Sequence, residues 1–260
     1  MTTGYEPLNT LKPVSVGIWI IDGPPVTCRR MPHPTRATVV RLEDGGLWVH
    51  SPTHLTPGLI DELQALGPVS HLVAPNRLHY CAMPSWQKQF PDATSWVAPG
   101  VAERAATNGV ALDFDHELTD TPPPAWAGQI NQLMVGGSRK HHEAVFFHAA
   151  SRTLILTDLI QNFETGKLPV WMRPLVWISG ADDSDGRMPT LLRMTFNKKK
   201  LLGDAVEAMI AWRPRQIILS HGRCYMQNCR GELERAFRRE LRDRRWGTAI
   251  EDLKEKQTHR

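Results

Sequence analysis

Three polar residues, His79, Asp158 and His221, each follow a segment that is predicted to be a β-strand. Imidazole nitrogens and a carboxylate are ligands that zinc and iron accept, and they also serve as acids and bases in catalysis. In layered α/β folds, ligands and metals collect at the ends of strands. Taken alone, each residue is better explained as a helix cap or a hydrogen-bonded core position. The three together indicate a functional site.

The elements that must position these residues follow from the hydrophobic pattern. In the first half, alternating apolar residues predict strands over 16–21, 37–42, 47–50, 69–73 and 95–98. Helices are predicted from the N-cap Thr56 to Leu66, over 84–90 and after Gly100. In the second half the pattern predicts strands over 129–135, 144–148, 153–157 and 216–220, and helices over 197–212 and 231–244. The proline-rich turn 121–125 separates two halves of what we expect to be one domain, residues 1–260.

Five segments resemble the metallo-β-lactamase superfamily, most closely its DUF4336 branch, over nearly the whole chain. They read GIWIID at 17–22, GGLWVHSP at 45–52, LVAPNRLH at 72–79, SRTLILTDLI at 151–160 and IILSHG at 217–222. The resemblance implies an α/β fold, specifically a four-layer αββα sandwich with an active groove along one edge.

The superfamily's main metal motif, His-x-His-x-Asp-His, corresponds here to residues 74–79, and His79 is the one ligand that remains. Ala74, Asn76 and Leu78 stand at the other three ligand positions, and none of them is a good ligand for a transition metal. The aspartate of the superfamily's Asp-x-Gly element is likewise replaced in the segment His-Ser-Pro at 50–52. The resemblance therefore implies a degenerate motif without a normal two-metal centre.

The other ligands of the superfamily have counterparts in this chain. Asp158 matches the aspartate that bridges two metals, and His221 matches the C-terminal histidine. A further metal-binding histidine lies near His141 or His142, and we include His142 in the predicted set. The resemblance thus implies one zinc or iron ion held by His79, His142, Asp158 and His221, with Asp158 and His79 as catalytic residues.

Two cysteines and two tyrosines lie close to the retained histidines in sequence. Cys81 follows His79 by two residues, and Cys224 follows His221 by three. A thiolate at either position could replace a lost zinc ligand, although ordinary packed thiols explain both equally simply. Tyr80 and Tyr225 either donate a hydrogen bond to a bound carbonyl group or simply pack.

Composition narrows the classes of function. The chain has 260 residues, and its hydrophobic content of 41% excludes a mainly disordered protein. With 31 Lys and Arg against 27 Asp and Glu, its formal net charge is only +4. The basic residues of the C-terminal helix alternate with acids, which favours a salt-bridged face over nucleic-acid binding. No apolar run has the length of a membrane span, and we expect neither a membrane nor nucleic acid as a partner. Oligomer formation is left open, with Trp171 and Trp177 as candidate interface residues.

The cysteines and the N-terminal residues indicate the cellular compartment. Four cysteines without a Cys-x-x-Cys pair fit free thiols in a reducing compartment, and the first residues lack the pattern of a secretory signal. We expect a cytoplasmic protein.

Two functions of different classes follow from these observations. The first is a metal-dependent hydrolase with a reduced, mononuclear site that acts on a small-molecule ester, lactone or phosphoester. The second is a metal-free descendant of the fold without catalysis, which binds a small molecule or a partner protein in the old groove. Metal content discriminates between the two.

Overall fold

The computed structural model describes residues 5–28 and 31–246, which form two β-sheets covered by helices. The first sheet has seven strands, and strands that are consecutive in sequence are neighbours in the sheet. They are β1 (Lys12–Ser15), β2 (Ile18–Cys28), β3 (Met31–Arg41), β4 (Leu47–His50), β5 (Val69–Ala74), β6 (Thr94–Val97) and β7 (His116–Glu117). Strands β1 to β4 pair antiparallel, and β4 to β7 pair parallel. Helical crossovers make parallel pairing possible in the second part.

The second sheet comes entirely from the other half of the chain. Its four strands are β8 (Ile130–Val135), β9 (Glu143–His148), β10 (Thr153–Leu156) and β11 (Gln216–Leu219), in the order β11-β10-β9-β8. Strand β10 pairs antiparallel with β9 and parallel with β11. The proline-rich turn 121–125 lies between β7 and β8, as the sequence predicts.

Alternate residues of the second sheet enter two different cores. On β9, Ala144 and Phe146 pack with residues of the first sheet, whereas Val145 and Phe147 pack on the other side. Successive side chains of a strand point to opposite faces, so this sheet is buried on both faces. The central core lies between the sheets.

Helices cover the two outer faces. On the first sheet lie α1 (Pro57–Leu66), α2 (Met83–Gln89) and α3 (Val101–Thr107), which bury Leu59, Leu63, Met83, Trp86, Val101 and Ala105 in the first core. On the second sheet lie α6 (Lys199–Ala211) and α7 (Cys229–Ala236), and residues 238–246 continue as a helix beyond a break at Phe237. The architecture is therefore the four-layer αββα sandwich that the sequence predicts.

The long connection from β10 to α6 forms a small helical segment of its own. It contains α4 (Arg173–Ser179), α5 (Thr190–Arg193) and 3₁₀ turns at Thr165–Lys167 and Val170–Met172. A separate core of Phe163, Leu168, Met172, Val176 and Ala181 holds it together. The sequence analysis predicted none of these helices.

Other differences from the predicted elements are local. The first predicted strand, 16–21, is interrupted because Gly17 has φ +75° and turns the chain between β1 and β2. The predicted helix 231–244 breaks at Phe237. The salt-bridged face predicted there is present, with Arg230 bonded to Glu234 and Arg235 to Glu232. In the described part of the chain, no helix has the length and hydropathy needed to cross a bilayer.

Candidate metal centre

Three connections bring His79, Asp158 and His221 to one edge of the sandwich. His79 lies in the loop after β5, Asp158 follows β10, and His221 follows β11. Since β10 and β11 are parallel neighbours, the residues that follow their ends meet at the same edge. The three side chains are largely buried.

The donor atoms of these three side chains, which we call the triangle, lie close together, and each histidine approaches a different oxygen of Asp158. His79 Nε2 lies 3.2 Å from His221 Nε2, His79 Nε2 lies 3.3 Å from Asp158 Oδ2, and His221 Nε2 lies 3.3 Å from Asp158 Oδ1. Ligands of a tetrahedral zinc ion at about 2.0–2.1 Å lie about 3.3 Å from one another. Each of the three distances therefore matches the spacing of neighbouring ligands around a tetrahedral metal ion, and one donor atom from each residue lies within 4.8 Å of the other two.

Hydrogen bonds at the far side of each imidazole fix the ring orientation. His221 Nδ1 lies 2.7 Å from the Pro34 carbonyl oxygen, which only accepts, so Nδ1 carries a proton and donates it. His79 Nδ1 lies 2.7 Å from Ser51 Oγ, which can accept in the same way. Nε2 of each ring then faces Asp158, where a protonated Nε2 donates to the carboxylate and the Nε2 lone pair of a neutral ring would be directed at a metal ion.

Ser51 reaches His79 through an uncommon backbone conformation. Its φ is +55°, in the left-handed region that non-glycine residues seldom adopt. Its N–H donates to the Val73 carbonyl, which ties the residue to the end of β5. The sequence indicated only that the segment 50–52 replaces the superfamily's Asp-x-Gly element, whereas the structure makes Ser51 the hydrogen-bond partner of a candidate ligand.

A buried arginine supports the loop that carries His221. Arg36 Nη1 donates to the carbonyl oxygens of Leu219 at 2.5 Å and Gly222 at 2.7 Å, on either side of the histidine. Arg36 Nη2 also pairs with Asp22 Oδ1 at 2.7 Å, and that carboxylate is buried as well. No spacing in the sequence indicates this contact, because it joins β3 to the end of β11.

Charges and burial act in opposite directions on the candidate ligands. Burial raises the pKa of Asp158, but the charge of His79 and hydrogen bonds from both histidines outweigh it and hold the pKa well below its usual range. Burial lowers the pKa of His221, but the hydrogen bond to Asp158 and its charge outweigh that effect and raise it. Asp158 is therefore ionised at neutral pH, as a metal ligand must be, and its lowered pKa makes it a weak general base.

Beside this triangle lies a second group, His141, Glu143 and Asp158, whose candidate donor atoms lie within 4.8 Å of one another. The two oxygens of Glu143 accept backbone hydrogen bonds from Thr157 at 2.8 Å and Asp158 at 3.0 Å. His141 Nε2 lies 3.2 Å from Glu143 Oε2. Protein donors thus already occupy the carboxylate of Glu143.

Asn76 stands at a lost ligand position and joins the second group. Its amide nitrogen donates to Glu143 Oε2 at 3.3 Å, Thr157 Oγ1 at 3.0 Å and Asp158 Oδ2 at 2.8 Å. Its oxygen accepts from the Leu78 N–H at 2.8 Å, which sets the orientation of the amide. An amide N–H₂ cannot bind a metal. The donors present in the second group therefore do not fit another metal ion, whereas those of the triangle fit one.

Some residues predicted for the site lie elsewhere. Among the described residues, neither group includes His142, and the adjacent His141 takes the inward position instead. Neither group includes a cysteine: Cys81 is exposed, and Cys224 Sγ lies 3.2 Å from Arg36 Nη1. The hydroxyl of Tyr80 bonds to α3 and its end, and that of Tyr225 bonds to α7 and to the 182–186 loop.

Glu143 was not predicted as part of the site, and His141 lies buried beside it where the neighbouring His142 was the predicted ligand. Glu143 is the single acid in the strand sequence EAVFFH and is fully buried. An isolated acid in an otherwise apolar buried strand is a usable signal, because a buried charge needs partners.

Several solved structures with a similar architecture are metallo-β-lactamases. One is DIM-1 metallo-β-lactamase exposed to ceftazidime, with a TM-score of 0.59 and 11% identity, covering 87% of this chain and 94% of that one. FIM-1 from Pseudomonas aeruginosa in its mono-zinc form matches with a TM-score of 0.59 and 13% identity, covering 89% and 96%. A metallo-β-lactamase from Erythrobacter litoralis with β-mercaptoethanol in the active site matches with a TM-score of 0.60 and 13% identity, covering 87% and 93%.

At these identities the likeness concerns the fold alone. No curated protein sequence matches the chain. A family described as a domain of unknown function, DUF4336, matches residues 17–177, which is more than half of the chain. The chain therefore belongs to the DUF4336 family and has the metallo-β-lactamase fold.

Proposed function

We propose that this protein is a metal-dependent hydrolase with a single metal ion, zinc or iron, held by His79, Asp158 and His221. The observation that carries the proposal is the close approach of the two imidazoles and the Asp158 carboxylate, with contacts of 3.2–3.3 Å between Nε2 and Nε2 and from each Nε2 to one carboxylate oxygen, and with both imidazoles oriented from behind. The substrate class we propose is a small ester, lactone or phosphoester. A bound metal ion would polarise the substrate oxygen and acidify a water molecule.

The residues of the chain divide the work around that ion. Ser51 and the Pro34 carbonyl hold the two imidazoles, so Nε2 of each ring stays directed at the site. Asn76 Nδ2 and Gln161 Nε2 donate to the two oxygens of Asp158, at 2.8 Å and 3.3 Å, and hold the carboxylate between the rings. Fixed ligands leave the remaining coordination positions open to substrate and water.

The contacts of Asn76 and Glu143 support one metal ion rather than two. The amide hydrogens of Asn76 point at the oxygens among which a second cation would have to lie.

The free thiols of Cys81, Cys224 and Cys229 support a reducing compartment, and we place the protein in the cytoplasm.

Elemental analysis of untagged protein tests the proposal. Wild-type protein should carry about one equivalent of zinc or iron, and His79→Ala and His221→Ala should lose it while remaining folded. His142→Ala is the matched control, because it removes a nearby histidine outside the triangle and should keep the metal. Hydrolysis of a nitrophenyl ester, a lactone and a phosphodiester should follow metal content across the four proteins.

Three results would overturn the proposal. Metal far below one equivalent in folded wild-type protein supports the metal-free binding function instead. Two equivalents would contradict the exclusion of a second ion. Hydrolysis that survives in both His79→Ala and His221→Ala would place the chemistry elsewhere.

A further inference from the structure

Large apolar side chains are exposed mainly in one stretch of the chain. Eight of the fourteen exposed large hydrophobic residues in the described part fall within residues 170–201. Seven of them form what we call the Trp177 face: Val170, Trp171, Leu175, Trp177, Ile178, Leu191 and Met194. Trp177 is 68% exposed, Ile178 71% and Met194 74%. Such a concentration on a folded protein usually marks an interaction surface.

The small core beneath explains why these side chains point outward. The turn Val170–Met172 and α4 insert only Met172 and Val176 into the separate core described above. The remaining apolar residues of both elements face solvent. Helix α5 adjoins α4, because Thr190 Oγ1 donates to the Ser179 carbonyl at 3.3 Å. The exposed residues of α5 therefore lie near the C-terminal end of α4, where Trp177 and Ile178 are exposed.

The same stretch has an excess of positive charge. Residues 170–201 hold six Lys and Arg against three Asp, a formal net charge of +3. The three aspartates are already engaged: Asp182 is buried, Asp183 accepts from Thr165, and Asp185 pairs with Arg187, Arg235 and Arg238. The two helices of the face contribute Arg173 and Arg193 and no acid.

We propose that the Trp177 face docks on the surface of a bilayer that contains anionic lipid. Tryptophan side chains favour the boundary between headgroups and acyl chains, and neighbouring Lys and Arg are attracted to anionic headgroups. This is a peripheral contact, and it departs from the sequence-based expectation of no membrane partner. It goes beyond the proposed hydrolase function and does not depend on it.

Charge favours a bilayer over a second copy of the chain. A symmetric dimer brings the same patch of each copy together, so the basic residues around one face would meet those of the other. Like charges opposed across an interface oppose association, whereas an anionic membrane supplies the opposite charge together with an apolar interior.

Co-sedimentation with vesicles tests the proposal on the full chain. We expect binding to phosphatidylcholine vesicles with about 30 mol % phosphatidylglycerol, weak binding without it, and at least a ~10-fold loss when salt rises from about 0.1 M to about 0.5 M. The double variant Trp177→Ser, Ile178→Ser should lose at least ~10-fold in partition coefficient. Val16→Ser is the matched control, because Val16 is 94% exposed at the β1–β2 turn and should leave binding unchanged.

Circular dichroism and light scattering complete the experiment. The double variant should keep the wild-type spectrum, since both side chains are largely exposed. Failure of wild-type protein to bind the anionic vesicles, or equal binding by the double variant, would overturn the proposal. A wild-type oligomer that the double variant converts to monomer, with vesicle binding unchanged, would assign the face to self-association and overturn it as well.

Discussion

Glu143→Gln tests whether the second group of side chains is a hydrogen-bonded cluster rather than a metal site. The carboxylate of Glu143 accepts from the Thr157 and Asp158 N–H groups, from Asn76 Nδ2 and from His141 Nε2. Glutamine keeps one oxygen, which can serve Thr157. Its amide nitrogen then faces the other three donors.

The cost follows from the donors left without an acceptor. Each buried donor that loses its partner costs about 1–3 kcal/mol; the Asp158 N–H loses its acceptor, and His141 either loses the acceptor of its Nε2 proton or must change tautomer. Rotation of the Asn76 amide cannot repair this, because its oxygen would leave the Leu78 N–H. We expect a loss of about 3 kcal/mol in the free energy of unfolding, which is a drop of about 6–12 °C in Tm for a chain of this size.

Thermal and urea denaturation measure this loss, with Glu117→Gln as the matched control. Glu117 lies exposed on β7, and its amide variant should change stability by less than about 0.5 kcal/mol. Metal content of Glu143→Gln should stay at about one equivalent, because the triangle does not use Glu143. A Tm within about 2 °C of wild type, or the loss of a metal ion that wild-type protein holds beside Glu143, would refute the reasoning.

Three further predictions concern single residues. Burial lowers the pKa of His50 to about 3, so between pH 7 and pH 5 this histidine takes up a proton in the unfolded chain but not in the folded one. The free energy of unfolding of wild-type protein should therefore fall by about 2 kcal/mol over this range through His50. Urea titrations at the two pH values should show that His50→Phe lacks this loss. Burial raises the pKa of Cys229 to about 11, so peptide mapping should show iodoacetamide labelling at pH 8 at least ~100-fold slower in folded than in unfolded protein, and equal rates would contradict it. A Cβ on Gly222 would overlap the Asn162 carbonyl, whereas Gly45 also has a positive φ but open space around it. Gly222→Ala should therefore lower the free energy of unfolding by about 2 kcal/mol more than Gly45→Ala. Equal losses of stability in thermal denaturation would contradict this.

Local pattern was sufficient for most of the sandwich. The strand predicted at 47–50, the helix that begins after Thr56 and the helix at 197–212 all rest on hydrophobic spacing or caps that neighbouring residues carry. The segment between β10 and α6 was not predicted, because its short helices bury few side chains and leave apolar residues outside. Hydrophobic periodicity cannot indicate a helix whose apolar residues face solvent.

The candidate site shows the same division. By itself, the sequence determined that His79, Asp158 and His221 follow strands of a layered α/β fold. It also determined that Ala74, Asn76 and Leu78 stand where the metallo-β-lactamase superfamily has metal ligands. Only the tertiary structure decided that His141 rather than His142 turns inward, and that Asn76 and Glu143 fill the neighbouring space. Those contacts join β5, β9 and β10, and their geometry depends on how strands distant in sequence pack, which no local spacing encodes.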